Sequence, residues 1–114
     1  MDETIDVTLN AARHRYDITV DGKAAGSSSY RDTDASGAPQ RILYHTAIDE
    51  AFGGRGLAST LTREAIRQSV EAGFRVVPMC PYVKKWTTTH DDFAADTDPV
   101  TSAHRALFGW QSSA

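Results

Sequence analysis

Apolar and polar residues alternate in two runs near the start of the chain, from Thr4 to Leu9 and from Tyr16 to Val20. The apolar positions are Ile5, Val7 and Leu9 in the first run and Tyr16, Ile18 and Val20 in the second. A period of two predicts strands with one buried face. The Asp21–Gly22 pair that follows predicts a hairpin turn, because glycine accepts the positive φ that tight turns require.

The chain should then add two further strands. We expect the third over roughly Lys23 to Tyr30, with the small residues 26–29 marking a bulge. Arg31 to Pro39 is rich in Asp, Ser, Gly and Pro and predicts a loop. Gln40 to Ile48 has the composition of a strand and predicts the fourth.

The pattern changes after glycines at positions 53, 54 and 56. From Leu57 the apolar residues recur at helical spacing, and Gly73 ends the pattern, which predicts an amphipathic helix. Phe74 to Met79 is a short apolar run typical of a buried strand. Strand, helix and strand form a βαβ unit whose crossover places the helix across one face of the sheet. The predicted fold class is α/β (α+β): N-terminal antiparallel strands followed by the βαβ unit in one mixed sheet.

Two further helices are expected downstream. Helical spacing runs from Tyr82 to Thr89, directly after Cys80–Pro81. Asp98–Pro99 has the form of an N-cap followed by proline in the first helical position, and it predicts a helix over Val100 to Phe108.

The length of the chain and its net charge limit the domain organisation that we expect. The chain has 114 residues and a net charge of -3, from 12 Lys and Arg against 15 Asp and Glu. We expect one domain over residues 1–114, with 99–114 as a C-terminal extension. In that extension Leu107, Phe108 and Trp110 could cover the core, shape a substrate cleft or join a partner subunit.

The acidic balance argues against a general nucleic-acid binder. No stretch approaches the ~20 apolar residues of a membrane span, and the N-terminus has no signal-peptide pattern. A single cysteine, Cys80, cannot form an internal disulfide and fits a reducing compartment. We therefore expect a cytoplasmic protein without a nucleic-acid or membrane partner.

The glycine-rich turn connects the fourth strand to the long helix. Main-chain N–H groups there, with the positive end of the helix dipole, can form a cradle for a phosphate. The turn does not fit the dinucleotide fingerprint, since Ser59 stands where the third glycine would be, and it has no lysine for a Walker-type loop. A strand-to-helix turn without a ligand is the alternative.

Several segments together resemble the GNAT superfamily of acyl-CoA-dependent N-acetyltransferases. They are residues 45–52, the glycine turn, positions 57, 58, 61 and 65 of the long helix, and residues 73–74 and 76–82. They resemble most its small single-domain branch with a cysteine after the βαβ unit. The superfamily turn has the form Gln/Arg-x-x-Gly-x-Gly/Ala. This chain matches it at Gly56 and Ala58 and has Gly53 where Gln or Arg is usual, which removes one side-chain contact and leaves the backbone cradle.

The resemblance implies acetyl-CoA, or CoA, as the cofactor. Ala47 and Ile48 would line its pantetheine arm, and the glycine turn would hold the pyrophosphate. The turn residues are Gly53, Gly54, Arg55, Gly56, Leu57, Ala58 and Ser59.

Cys80 and His45 are the candidate catalytic residues. Pro81 suits the first position of a helix, so Cys80 should stand near the N-cap, where the helix dipole favours a thiolate. Cys80 also matches the cysteine assigned to catalysis in the branch; an inert buried thiol is the alternative. His45 precedes the glycine turn, and a neutral imidazole there can accept a proton, although a structural histidine fits equally. His90 also matches a family position. No metal site is expected, because the cysteine and the four histidines lack paired spacing.

The sequence therefore predicts an acetyl-CoA-binding N-acetyltransferase that acetylates an amine of a small molecule or a protein. The amine attacks the thioester directly, or Cys80 is acetylated first. One alternative is a non-catalytic CoA-binding or interaction protein of the same fold, and another is a domain without a ligand. We expect a monomer or a weak homodimer.

Overall fold

A computed structural model describes residues 4–109 as a five-stranded sheet with helices on both faces. The strands are β1 Ile5–Asn10, β2 Arg15–Val20, β3 Lys23–Thr33, β4 Gln40–Ile48 and β5 Arg75–Pro78. The helices are α1 Leu57–Glu71, α2 Pro81–Thr89 and α3 Ser102–Ala106, with short 3-10 turns at Ala11–Arg13, Glu50–Phe52 and Ala94–Asp96. The predicted fold class is confirmed. Trp110 lies outside the described residues.

The strands follow one another across the sheet in the order β1-β2-β3-β4-β5. The first four are antiparallel, and β5 is parallel to β4 with α1 between them in the chain, as predicted for the βαβ unit. The hairpin at Asp21–Gly22 has positive φ at both residues, 50° and 81°. Within residues 4–109 no helix is long and apolar enough to cross a membrane.

The two faces of the sheet differ in what covers them. On one side, which we call the helix face, Tyr16, Ile18 and Leu43 are 0–1% exposed and join the apolar side of α1 in the core. On the other, which we call the open face, β2 presents the partly exposed polar residues Arg15 and Asp17. The core is therefore one-sided over most of the sheet.

An extra residue in β4 changes the direction of its side chains. Tyr44 has no partner in β3, because the residues on either side of it pair with consecutive residues of that strand. Such a bulge shifts the alternation of the side chains by one position. Leu43 and Thr46 consequently lie on the helix face, whereas Tyr44 and His45 lie on the open face.

β3 is irregular at both ends of its small-residue section. Its register against β2 shifts at Ala25, and its register against β4 shifts after Ser29. Gly26 lies between them, and a Cβ there would come within 2.4 Å of the carbonyl oxygen of Ala47. A glycine is therefore required by the close approach of β4.

A buried arginine in β4, Arg41, bonds to the C-terminal part of β3. Arg41 is 6% exposed, and its Nε and Nη2 donate to the two carboxylate oxygens of Asp32 at 2.7 and 2.8 Å, while Nη1 donates to Tyr16 Oη at 2.7 Å. The guanidinium lies 3.9 and 4.1 Å from the ring centroids of Tyr30 and Phe74. Burial alone would lower the pKa of Arg41, but these partners raise it above its ordinary value. This cluster explains why β3 continues through Asp32 into the segment predicted as a loop.

The C-terminal segment starts its helix later than predicted. Asp98 is not an N-cap, because its carboxylate accepts hydrogen bonds from Gln40 Nε2 at 2.7 Å and from Arg75 Nε at 2.8 Å. It thus joins the first residues of β4 and β5, and α3 begins only after Thr101. The prediction of a helix starting at Val100 under an Asp98 cap is wrong for this reason.

His104 holds this segment against the open face. It is 6% exposed, its Nδ1 accepts the N–H of Thr101 at 2.9 Å, and its Nε2 lies 2.9 Å from Gln40 Oε1. Since Nδ1 is an acceptor, the proton of the neutral ring is on Nε2 and is donated to Gln40. His104 thereby completes the capping box at the start of α3. Ile42 and its partner in β5, Val77, are fully buried.

Candidate functional site

β4 and β5 pair over only four residues and then separate. The paired residues run from Gln40 with Arg75 to Leu43 with Pro78. The carbonyl oxygen of Leu43 ends the pairing, since it accepts hydrogen bonds from the N–H groups of Met79 at 3.0 Å and Cys80 at 2.9 Å. Beyond this point β4 continues along β3 through residues 44–48, while the other chain turns into α2. We call this opening the β4–β5 split.

The glycine turn lies at the same end of the sheet, because it follows the last residue of β4. Gly54 and Gly56 have φ of 75° and 74°, a conformation that disfavours other residues. A Cβ at either position would meet no atom of residues 4–109 within 4 Å, so the positive φ and not crowding requires glycine there. Among the described residues the turn therefore leaves room for a bulky anion.

The start of α1 supplies the donors of this cradle. Gly56 is the N-cap, no side chain within residues 4–109 caps the helix, and the first N–H groups of any α-helix have no acceptor within the helix. Leu57 is 3% exposed and packs into the core, which fixes the first turn, while Ala58 and Ser59 are half-buried. A helix of 15 residues adds its dipole at this end. These residues fit a phosphate group held by backbone N–H groups.

Other predicted residues of the turn have mainly structural contacts. The Arg55 guanidinium lies 5.5 Å from the ring centroid of Phe52. Gly53 has an extended backbone and its N–H bonds to the carbonyl of Glu50 at 3.1 Å. The Ser59 hydroxyl accepts the indole N–H of Trp86 at 2.9 Å, which ties the start of α1 to α2.

Cys80 stands at the N-cap of α2 with Pro81 in the first helical position, as predicted. Its side chain is 6% exposed, and Sγ lies 3.5 Å from Thr46 Oγ1. The thiol therefore reaches back to β4 across the β4–β5 split. A nucleophile in this place would act at the point where the two strands part.

Thr46 was not singled out by the sequence. Its contact with Cys80 joins positions that are 34 residues apart, and only the alternation of side chains along β4 hints that Thr46 faces α2. Ser28 is its partner in β3, and the buried Ser28 hydroxyl has no hydrogen-bond partner within residues 4–109. The thiol thus contacts a small polar side chain of β4, and the strand partner of that residue in β3 is also small and polar.

His45 lies on the other side of β4 from Cys80. It is exposed, and as a neighbour of Thr46 it projects from the opposite face of the strand. The structure does not bring the imidazole and the thiol together. His45 instead follows Tyr44 on the open face.

The two residues expected beside a pantetheine arm differ in exposure. Ala47 is exposed on the open face, and Ile48 is half-buried against the core. Both follow Leu43, the last residue of β4 that pairs with β5. The edge of β4 that faces away from β3 is therefore not paired with β5 at these two residues. An extended ligand could therefore bond to the backbone of this edge as a strand does.

His90 and Trp86 form a stacked pair at the end of α2. Their ring centroids are 4.2 Å apart with an interplanar angle of 11°, and His90 Nδ1 lies 3.0 Å from the Trp86 carbonyl oxygen. These contacts end the helix and give His90 a structural role. Within residues 4–109 no group of three or more His, Cys, Asp or Glu residues could hold a metal ion.

Comparisons with known proteins bear on the family and the fold of the chain. The family model described as GCN5-related N-acetyl-transferase matches residues 15–97. A ribosomal-protein-alanine N-acetyltransferase from Brucella melitensis biovar Abortus superposes with a TM-score of 0.51 at 18% sequence identity, covering 88% of this chain and 66% of that one. An aminoglycoside acetyltransferase from an uncultured soil metagenomic sample superposes with a TM-score of 0.50 at 12% identity, covering 76% and 61%. The chain thus spans less than two thirds of each of these structures. No protein in a search of curated proteins matches the sequence.

Proposed function

The chain belongs to the GCN5-related N-acetyltransferase family, and from this premise we propose that it transfers an acetyl group from acetyl-CoA to an amine. The observation that carries the proposal is the position of the β4–β5 split between the glycine turn and Cys80. Ligands of sheets with parallel strands commonly lie at the carboxyl ends of those strands, where these three features meet.

Each part of the donor has a matching surface. The pyrophosphate would lie on the backbone N–H groups at the start of α1, from Gly54 to Ser59. The pantetheine arm would run along the free edge of residues 44–48, beside Ala47 and Ile48. Its thioester would then lie near the carbonyl of Leu43, where β4 and β5 part.

Two routes lead from this arrangement to the product. In the direct route, the amine nitrogen attacks the thioester carbonyl, the carbon–sulfur bond breaks, CoA leaves as a thiolate, and a base takes the proton from the nitrogen. In the covalent route, the Cys80 thiolate attacks first and releases CoA, and the amine then attacks acetyl-Cys80 and frees the cysteine.

The faces of β4 separate the groups that serve these routes. Cys80 reaches the split from the helix face, and His45 lies on the open face. A base at His45 would therefore act on an amine that arrives from the open face. A nucleophile at Cys80 would act on the acyl group from the other side.

Intact mass measurement after mixing with acetyl-CoA distinguishes the two routes. An acetyl adduct of about 42 Da that is absent from Cys80→Ala and disappears when an amine is added supports the covalent route. Turnover in Cys80→Ala equal to that of the wild type, with a large loss in His45→Gln, supports the direct one.

The alternative is a protein that binds CoA without catalysis. The observation that favours it is the burial of Cys80, whose thiol is 6% exposed and hydrogen-bonded. This alternative predicts that CoA and acetyl-CoA both raise the melting temperature, while no CoA is released from acetyl-CoA with any amine of a broad panel. Release of CoA that depends on the amine would contradict it.

A further inference from the structure

A polar cleft opens beside the last residues of β3, where β2 no longer covers that strand. Pairing with β2 ends at Ser29, whereas pairing with β4 continues to Thr33, so one edge of this part of β3 borders the cleft. The cleft has a volume of about 520 Å³. We call it the Arg13–Arg31 cleft, and its lining is Arg13, His14, Tyr30, Arg31, Asp32, Tyr44 and Phe108.

The charges of the lining are unbalanced. Arg13 and Arg31 are exposed, and neither guanidinium has a carboxylate partner among residues 4–109. Asp32 is the one carboxylate of the lining, and both of its oxygens already accept hydrogen bonds from Arg41. This protein has a net charge of -3, yet the cleft presents two cations whose charge is not offset there.

The wall of the cleft holds Arg31 in place. Its Nη1 donates to the carbonyl of Leu107, and its guanidinium lies 5.5 Å from the ring centroid of Phe108. Tyr44 packs on the same ring at a centroid distance of 4.7 Å. The arginine is therefore positioned by the C-terminal segment, with donors left over for a ligand, since a guanidinium has five N–H groups.

Tyr44 lies between the cleft and the β4–β5 split. Tyr44 lines the cleft, and it directly follows Leu43, the last residue of β4 that pairs with β5. His45, the next residue, lies on the same open face. The cleft borders the β2 side of β3 and the split opens on the β5 side of β4, so a molecule in the cleft would reach the split by crossing the open face over these two strands, roughly 10 Å.

We propose that the Arg13–Arg31 cleft binds the acetyl acceptor and selects amines that carry a carboxylate or similar anion. The inference rests on the proposed function and names the class of its acceptor. The anion bonds to the guanidinium groups of Arg13 and Arg31, and the amine extends past Tyr44 toward the split. Two guanidinium groups suit this task, because their N–H pairs match the two oxygens of a carboxylate.

Matched amines test the selection directly. The probes are 4-aminobutyrate against 4-aminobutyramide, which differ in one charge, and the amidated tripeptides Gly-Glu-Glu against Gly-Gln-Gln. The measurement is the KM for each amine from the initial rate of CoA release. We expect the KM of the charged member to be about tenfold lower in at least one pair, and this advantage to shrink with added salt. The pair with the larger ratio shows whether the acceptor is a small molecule or an acidic peptide.

Three variants tie the selection to the cleft. Arg13→Gln should raise the KM of the charged amine about tenfold and leave the KM of acetyl-CoA unchanged. Arg31→Gln should do the same, and its melting temperature reports whether loss of the Leu107 contact has loosened the fold. Lys23→Gln is the matched control, because it removes an exposed positive charge at the opposite end of β3.

Failure of this inference and failure of the proposed function give different results. Equal KM values within both pairs, or unchanged values in Arg13→Gln and Arg31→Gln, overturn the assignment of the cleft. If no amine is acetylated, the proposed function fails. Calorimetric titration of the CoA-loaded protein with 4-aminobutyrate and 4-aminobutyramide then still tests whether the cleft is an anion site. Tighter binding of the carboxylate supports the anion site, and equal or absent binding overturns it.

Discussion

The Sγ atom of Cys80 lies 3.5 Å from Thr46 Oγ1, at the point where β4 and β5 part. The thiol is thus a hydrogen-bonded group on the wall of the split and is not open to bulk solvent. The backbone N–H of Cys80 donates to the carbonyl of Leu43, which fixes the residue at the opening of the split. The relationship makes the reactivity of Cys80 a probe of the split itself.

Cys80 should react slowly with a thiol reagent at neutral pH. Its side chain is 6% exposed, so reaction requires the split to open, and we expect a rate at least about tenfold below that of the urea-unfolded chain. The measurement is the absorbance change with an aromatic disulfide reagent, with Cys80→Ala as the blank. Bound CoA should slow the reaction further. Labelling of the native protein as fast as the unfolded chain would contradict the buried position.

Gly56→Ala should weaken CoA binding beyond its effect on stability. A non-glycine residue at φ of 74° costs about 1–2 kcal/mol, and the new Cβ faces the space where the pyrophosphate would lie. Gly37→Ala is the matched control, because Gly37 also has positive φ and open space around it but lies in the β3–β4 loop. Urea unfolding and calorimetry should show similar stability losses in both and an affinity loss in Gly56→Ala alone. Equal CoA affinities of the two variants would contradict the assignment of the phosphate cradle to this turn.

Arg41→Ala should destabilise the fold strongly. The guanidinium is buried, bonds to Asp32 and Tyr16 and fills the space between two aromatic rings, so its removal should cost about 2–3 kcal/mol. Urea unfolding measures the loss. Arg67→Ala is the comparison, because Arg67 pairs with Glu64 and Glu71 on the exposed side of α1 and should matter much less. A larger loss in Arg67→Ala than in Arg41→Ala would refute this ranking.

Asp98 should make the protein sensitive to acid. Burial raises the pKa of Asp98, but hydrogen bonds from Gln40 and Arg75 outweigh it and hold the pKa below its ordinary value. A lowered pKa in the folded state gives stability that is complete above the unfolded-state value, about 3.9, and is lost as the pH falls through the folded-state pKa.

Thermal unfolding between about pH 6 and about pH 3 tests whether Asp98 makes the stability fall with acid. The melting temperature of the wild type should fall with acid, and Asp98→Asn should show a shallower fall. Asp91→Asn, at an exposed position outside the network, is the control and should keep the wild-type slope. A slope that Asp98→Asn leaves unchanged would mean that other carboxylates cause the acid sensitivity.

Much of the fold follows from local patterns. Gln40–Ile48 was predicted with both of its ends, and the helix after Cys80–Pro81 was predicted from its proline and its spacing. β3 was predicted too short, because Asp32 is a poor strand former on its own and is held there by Arg41. The start of α3 was misplaced, because Asp98 bonds to two strands instead of capping the helix.

The candidate site was predicted in part. The position of Cys80 follows from its neighbour Pro81, and the glycine turn follows from a composition that permits positive φ. The partner of the thiol and the depth of its burial depend on contacts between distant segments, which single-sequence patterns do not contain. The two arginines of the cleft also come from separate elements, and nothing local links Arg13 to Arg31.

Calorimetric titration of the wild-type protein with CoA tests the central claim most directly. The account predicts saturable binding of one CoA per chain with a dissociation constant in the micromolar range, weakened in Gly56→Ala and preserved in Gly37→Ala. No heat and no rise in melting temperature at high-micromolar CoA would contradict the assignment of the glycine turn and the β4–β5 split as an acetyl-CoA site.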